Sequence, residues 1–231
     1  MLRTSRGIPK GYKFSDKTLA YAYKRRTVNT MDVSDFITPQ DLLTKLDKES
    51  WPYKEGKGKR KLHPETIERY KARDRALVCC AYLMALRISE VLRLRKKDFQ
   101  KAVHFETREE FIQIREIKLS KSKVLGKPRR HQTRVGWLPL RGERAPLTKK
   151  ITEYLNFLGD EELLFKFKPA RAWQIITHIT GYPPHFFRAF GEDYLYEAWG
   201  KDAAAVSGYV KVDIRTFAEY IHNRYGRGGP V

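Results

Sequence analysis

The sequence has few cysteines, no long apolar run and few acidic residues, and each shortage excludes a class of protein. Its two cysteines, Cys79 and Cys80, are adjacent. Neighbouring cysteines in a helix do not normally bridge, so a disulfide framework is excluded. The longest apolar run, 76–86, has 11 residues and is too short to span a bilayer. The first thirteen residues are polar and basic, so we expect no secretory signal and a cytoplasmic protein.

Acidic residues are scarce relative to basic ones. Lys and Arg number 47 and Asp and Glu 27 among 231 residues, a formal net charge of +20. This excess favours nucleic acid as a partner over an anionic membrane, because no segment pairs a long basic face with an apolar one. A solvated basic surface is the alternative. The basic residues expected to contact DNA are Lys59, Arg60, Lys61, Lys118, Lys123, Lys127, Arg129, Arg130 and Arg134.

Apolar spacing and the placement of proline and glycine predict a mainly helical protein. Hydrophobic residues make up 41% of the chain, which is enough to bury a core. N-terminal prolines, capping residues and C-terminal glycines predict helices over 38–49, 64–86, 89–95, 146–159, 169–181, 184–200 and 214–225. The cap of the 89–95 helix is expected to be Ser89 or the turn before it. Strands over 99–106, 111–117 and 135–140 predict a small three-stranded antiparallel sheet, and therefore an α+β fold that is mainly α.

Arg87 is the first candidate functional residue. It follows the most apolar helix, so its guanidinium is expected beside the core, where a charge needs a partner. Glu90, three residues on, reaches the same face. The simpler interpretation is a helix-terminal arginine paired with Glu90. The other is an arginine that Glu90 holds and aims at a phosphate, which its planar fork matches.

Two further groups of residues suit phosphate chemistry. His185 and Arg188 share one helical face just after two prolines, at a helix N-terminus that favours an anion. The alternative is an amphipathic helix with solvated His and Arg. The turn over 118–123 offers lysines that could act as point charges or proton donors, although a solvated turn lysine is common.

Read in order, these segments resemble the tyrosine recombinases, also called phage integrases. ALRISEVLRLRKKDF (85–99) resembles the family's first arginine box. KLSKSK (118–123) followed by VGWLPL (135–140) is similar to its β-hairpin lysine region. HFFRAF (185–190) resembles the H-x-L-R box, and KVDIRTFAEYIH (211–222) resembles the closing box with its tyrosine. Four boxes in order over about residues 37–225 make the resemblance specific.

The resemblance implies a role for each matching residue. Arg87 and Arg188 match the two arginines that grip the scissile phosphate, and Glu90 matches the acid that supports the first. His185 matches the box-two histidine, and Tyr220 matches the nucleophile. Lys121 best matches the hairpin lysine, with Lys118 and Lys123 as alternatives. The sequence departs from the family at Lys211, where a second His or Trp is usual and where a two-residue shift offers Tyr209, and at Ala189, where His or Arg often follows the second arginine.

The resemblance also implies an activity and an organisation. It predicts cleavage and rejoining of double-stranded DNA through a 3′-phosphotyrosine, by a homodimer or tetramer on DNA. No metal or cofactor is expected, since the sequence holds no paired-carboxylate motif and no Cys/His set at zinc spacing. A type IB topoisomerase-like enzyme and a non-catalytic DNA-binding protein derived from an integrase are the alternatives. We expect a basic arm over 1–36, a catalytic domain over 37–225 and a flexible tail over 226–231.

Overall fold

A computed structural model describes residues 37–53, 62–103, 108–118, 133–187 and 190–191, together with the backbone of 123–124 and 127–128. The arm, the tail and the helix predicted over 214–225 lie outside the described residues. Most of the helix predicted over 184–200 does so as well. Within the described ranges, no helix is both long and apolar enough to cross a membrane.

The first helix, α1, runs over Pro39–Lys48 and confirms the helix predicted over 38–49. Thr38 caps it, because its hydroxyl accepts a hydrogen bond from the Asp41 amide at 3.1 Å. The Asp41 carboxylate accepts one from the Thr38 amide in return, at 3.4 Å, which completes a capping box. Leu42 and Leu46 are buried and fix α1 to the core.

The central helix, α2, runs over Pro64–Met84 and confirms the long helix predicted from Pro64. Its second half, residues 76–84, is buried on every side, which explains the unbroken apolar run in the sequence. The helix ends where Ala85 adopts a left-handed conformation with φ of 49°. The site described below is built on this end of the helix.

The short helix α3 differs from the prediction. It runs over Ile88–Val91 rather than over 89–95, so Ser89 is not its cap. The cap position is Arg87, in the preceding turn, because the Glu90 carboxylate accepts the Arg87 amide hydrogen bond. A 3₁₀ turn over Lys96–Asp98 then leads into the sheet.

The sheet confirms the predicted antiparallel meander. Strands β1 (Phe99–Val103), β2 (Glu110–Lys118) and β5 (Thr133–Pro139) pair in the order β1-β2-β5. A short ribbon of β3 (Lys123–Val124) and β4 (Lys127–Pro128) follows β2 in the chain and is not among the predicted strands. The buried side chains Ile112, Ile114, Ile117 and Leu138 form the inner face of the sheet.

The remaining helices enclose α2. Helix α4 (Ala145–Leu155) packs along α2 and ends four residues before the predicted Gly159. Helix α5 (Pro169–Thr180) ends at Gly181, whose φ of 77° is the left-handed conformation that favours glycine. Residues 184–187 and 190–191 are also helical and are called α6 here. The predicted fold class, α+β and mainly α with a three-stranded antiparallel sheet, is confirmed.

Candidate active site

Arg87 lies at the corner where α2 ends and α3 begins. After the left-handed residue Ala85 the chain turns, and Arg87 becomes the N-cap of α3. Its side chain is 47% exposed although the helix before it is buried. The guanidinium therefore lies at the surface directly after α2, whose second half is buried.

Glu90 holds both the backbone and the side chain of Arg87. Its Oε2 accepts a hydrogen bond from the Arg87 amide at 2.9 Å, and its Oε1 accepts one from Nη1 at 3.1 Å. The Glu90 side chain is fully buried, so it cannot follow a moving guanidinium. The predicted pair is confirmed, and it fixes the orientation of the arginine while leaving half of the side chain exposed.

Helix α6 places the predicted histidine on its outer side. Phe186, Phe187 and Phe190 are buried, whereas His185 is exposed with its ring 4.3 Å from that of Phe186. For His185 and the three phenylalanines this is the amphipathic arrangement that the sequence left open as the alternative to an anion site, and an exposed ring suits either role. Arg188, the second predicted phosphate-binding arginine, lies outside the described residues.

Gly191, the last described residue of α6, packs directly on the end of α2. A Cβ atom added to Gly191 would lie 2.7 Å from the carbonyl oxygen of Tyr82 and 2.9 Å from the Cα of Ala85. The rings of Tyr82 and Phe187 also meet edge to face at 6.2 Å. The helix that carries His185 is thereby joined to the turn that carries Arg87, although the two are far apart in sequence.

The predicted hairpin lysines lie at the end of β2 and after it in the chain. Lys118 is the last residue of β2, pairs with Thr133 and is exposed. The backbones of Lys123 and Lys127 belong to the ribbon. Other predicted site residues lie outside the described residues and stay predictions: Lys121, Lys211 and Tyr220 among the catalytic ones, and Lys59, Arg60, Lys61, Arg129 and Arg130 among the DNA contacts.

Arg134, predicted to contact DNA, is buried inside the protein instead. Its side chain is buried, with 5% of its surface exposed, and its Nη2 donates a hydrogen bond to the carbonyl oxygen of Met84. An exposed phosphate contact at this position is therefore wrong. Along β5, Arg134 shares the inward face with Gly136 and Leu138, and Val135 and Trp137 lie on the exposed face. The sequence does not signal this choice, because the face with Val135 and Trp137 is the more apolar one.

A second group of ionisable residues anchors the segment that ends at Tyr53, shortly before the predicted DNA contacts Lys59, Arg60 and Lys61. Asp74 is buried and accepts hydrogen bonds from the Tyr53 hydroxyl and from Nε and Nη2 of Arg73, the latter two at 3.0 and 2.9 Å. Burial raises the pKa of the Asp74 carboxyl, against the opposing effect of Arg73. Burial likewise raises the pKa of the Tyr53 phenol. This cluster fixes residues up to Tyr53 to α2, a structural role that the sequence analysis does not identify.

Comparison with known proteins identifies the fold. The sequence matches no protein-family model and no curated protein. The structure resembles the XerH site-specific recombinase bound to its difH substrate in a pre-cleavage complex, with 17% identity, a TM-score of 0.51 and 84% of this chain covered. It also resembles XerH bound to a palindromic difH substrate in a post-cleavage complex, with 18% identity, a TM-score of 0.52 and 85% covered.

These likenesses show a tyrosine-recombinase-like fold. The matched region covers 50% of each XerH chain, so the chain spans about half the length of the recombinases it resembles. At this level of identity the likeness establishes the architecture alone.

Proposed function

We propose that this protein is a site-specific DNA recombinase or integrase that cleaves and rejoins DNA through a 3′-phosphotyrosine intermediate. One observation carries the proposal: Gly191 packs on Ala85, which joins the Arg87 turn to the helix of His185. Arg87 belongs to the first arginine box and His185 to the H-x-L-R box, two of the four segments that resemble tyrosine recombinases. The recombinase-like fold supports the same function.

The scissile phosphate would be gripped by two arginines. A phosphodiester is an anion, and nucleophilic attack places further charge on its non-bridging oxygens. Arg87, which Glu90 fixes in place, and Arg188 would neutralise that charge in the transition state. His185 would donate to a phosphate oxygen or assist proton transfer, and Lys211 would supply a further donor.

The bond changes follow from the remaining residues. The phenol oxygen of Tyr220 would attack phosphorus and give its proton to His185 or to solvent, and the bond from phosphorus to the 5′ oxygen would break. Lys121 would give a proton to the departing 5′ oxygen. The 3′-phosphotyrosine conserves the energy of the broken bond, so the 5′-hydroxyl of another strand can reverse the step and complete recombination. No residue in this sequence of steps requires a metal or a cofactor.

The partner would be double-stranded DNA bound by a dimer or tetramer. The net charge of +20 and the exposed Lys118 at the end of β2 support an electrostatic contact with the DNA backbone. We expect the protein to be associated with the DNA of the cytoplasm.

The experiment that tests the proposal is a covalent-capture assay. The full chain is incubated with fragmented DNA from its own source, denatured in detergent, and the protein-linked fragments are collected and sequenced. Enrichment of discrete sites supports the proposal, and two such sites on separate duplexes should then exchange flanking DNA. Relaxation of supercoiled DNA without exchange would instead favour a topoisomerase-like enzyme, and failure to capture any fragment would favour a DNA-binding protein without catalysis.

A further inference from the structure

Arg134 supplies the C-terminal cap of α2 from a different element. Met84 is the last residue of the helix, and the last four carbonyl groups of any α-helix lack partners within it. The last turn of α2 contains no basic residue. Nη2 of Arg134, on β5, donates to the Met84 carbonyl and so places a positive charge at the negative end of the helix.

The capped carbonyl lies three residues before Arg87. Glu90, three residues after Arg87, binds the Arg87 amide and Nη1 at 2.9 and 3.1 Å. The turn that presents Arg87 is therefore held from both sides. The contact from Glu90 is local, within α3, and the contact from Arg134 comes from the sheet.

Arg134, which makes the sheet's contact with Met84, lies near the end of the β2–β5 ladder. Arg134 pairs with Ile117 of β2, and its neighbour Thr133 pairs with Lys118. Arg134 thus lies next to the last described pair of the β2–β5 ladder, and the predicted hairpin lysine, Lys121, follows three residues after Lys118 in the sequence. The contact of Arg134 with Met84 ties this end of the ladder to the Arg87 turn.

We propose that Arg134 is a positioning residue for Arg87. By capping α2 it fixes the turn over 85–87 against β5, and the guanidinium of Arg87 is thereby aimed at the scissile phosphate. The inference rests on the proposed function for its catalytic consequence, whereas its structural consequence can be measured without any activity.

The first test is amide hydrogen exchange on the full chain. Arg134→Met keeps an unbranched side chain in the buried position and removes the cap. We expect faster exchange at residues 85–91, with the inner strand residue Ile114 unaffected. The control is Arg75→Met. It removes a comparable hydrogen bond, at 3.1 Å, from Nε of Arg75 on α2 to the Leu46 carbonyl on α1, away from the end of α2. Unchanged exchange at 85–91 in Arg134→Met would overturn the proposal, whether or not the protein cleaves DNA.

The second test separates positioning from general destabilisation. It compares single-turnover cleavage of an ordinary scissile phosphate with cleavage of a methylphosphonate, which carries no charge on its non-bridging oxygen and needs less help from an arginine. Arg134→Met should slow cleavage of the ordinary linkage by about 10²-fold, the loss expected of a misplaced catalytic group, and the methylphosphonate much less. DNA affinity should be unchanged, and Arg134→Lys, which keeps a cation near Met84, should recover part of the rate.

Equal losses on the two linkages would show that Arg134 acts on the fold as a whole and would overturn the positioning role. If the unmodified protein cleaves neither linkage, the proposed function fails, and the exchange measurement alone decides whether Arg134 fixes the turn.

Discussion

Glu90 binds Arg87 at two points, the backbone amide at 2.9 Å and Nη1 at 3.1 Å, from a fully buried carboxylate. A carboxylate buried this deeply needs its cation, so the pair is part of the fold. Half of the Arg87 side chain nevertheless remains exposed. The two interpretations of Arg87 that the sequence left open are therefore compatible, because the ion pair that stabilises the turn also orients the guanidinium.

Replacing Arg87 by lysine should separate these two roles. The ammonium of Arg87→Lys can pair with Glu90, so folding and DNA binding should persist. It cannot also present a planar fork to a phosphate, so adduct formation should slow by about 10²-fold, the usual loss of one transition-state donor. Single-turnover cleavage measures this. Arg93→Lys, at an exposed arginine near the same turn, is the matched control, and a near-normal rate for Arg87→Lys would argue against a phosphate contact.

Replacing Gly191 by alanine should disturb the contact between α6 and α2. The new Cβ would meet the Tyr82 carbonyl at 2.7 Å and the Ala85 Cα at 2.9 Å, and backbone atoms cannot move aside easily. Overpacking of this kind costs about 1–3 kcal/mol of unfolding free energy, which urea denaturation measures. Gly159→Ala is the control, since its nearest neighbour is a side-chain carbon of Glu162 at 3.7 Å. Equal stability of the two variants would show that α6 does not pack as described.

The two thiols should be inert in the folded protein. Burial raises the pKa of both Cys79 and Cys80 above the ordinary value, so at pH 8 the reactive thiolate is scarcer than in an exposed cysteine. We expect no reaction with a disulfide reagent under native conditions and release of two equivalents in denaturant, since the chain has two cysteines. Prompt native reaction of either thiol would contradict the packing of α2.

Binding to duplex DNA should weaken steeply with salt. A contact made by the basic residues of 54–61 and 118–134 should give a log–log slope that corresponds to about five or more neutralised phosphates. Because Lys118 is exposed and Arg134 is buried, Lys118→Gln should lower the slope by about one, whereas Arg134→Met should leave it unchanged. A flat salt response would rule out the nucleic-acid contact, and a slope lowered by Arg134→Met would contradict its burial.

Local sequence signals were sufficient for much of the fold. Thr38 and Asp41 mark the start of α1 through contacts between near neighbours in the chain. Pro169 and Gly181 mark the two ends of α5 through their own backbone conformations, so both helices are predictable. The two-residue strands of the ribbon are too short to produce a periodic pattern. The start of α3 was misplaced because the cap lies in the turn before Ser89, at Arg87, whose amide donates to the Glu90 carboxylate inside the helix.

The candidate site was predictable only where its partners are close in sequence. The pairing of Arg87 with Glu90 follows from a spacing of three residues. The contacts of Arg134 with Met84 and of Gly191 with Ala85 join distant parts of the chain, and nothing in the local sequence of either partner specifies the other. Alternation along β5 does not resolve this, because the exposed face carries the apolar Val135 and Trp137 while Arg134 lies on the inner one.

The central claim, that Tyr220 is the nucleophile, is tested most directly with a captured DNA site nicked just past the scissile bond. Cleavage of such a substrate releases a short fragment whose 5′-hydroxyl diffuses away, so the covalent complex accumulates. A free phenol has a pKa of about 10 and needs nearby cations to attack at neutral pH, which Arg87, Arg188 and Lys211 would supply. Tyr220→Phe removes one oxygen, so it should fold and bind DNA normally and form no adduct. An adduct that persists in Tyr220→Phe and disappears in Tyr209→Phe or Tyr225→Phe would contradict the assignment.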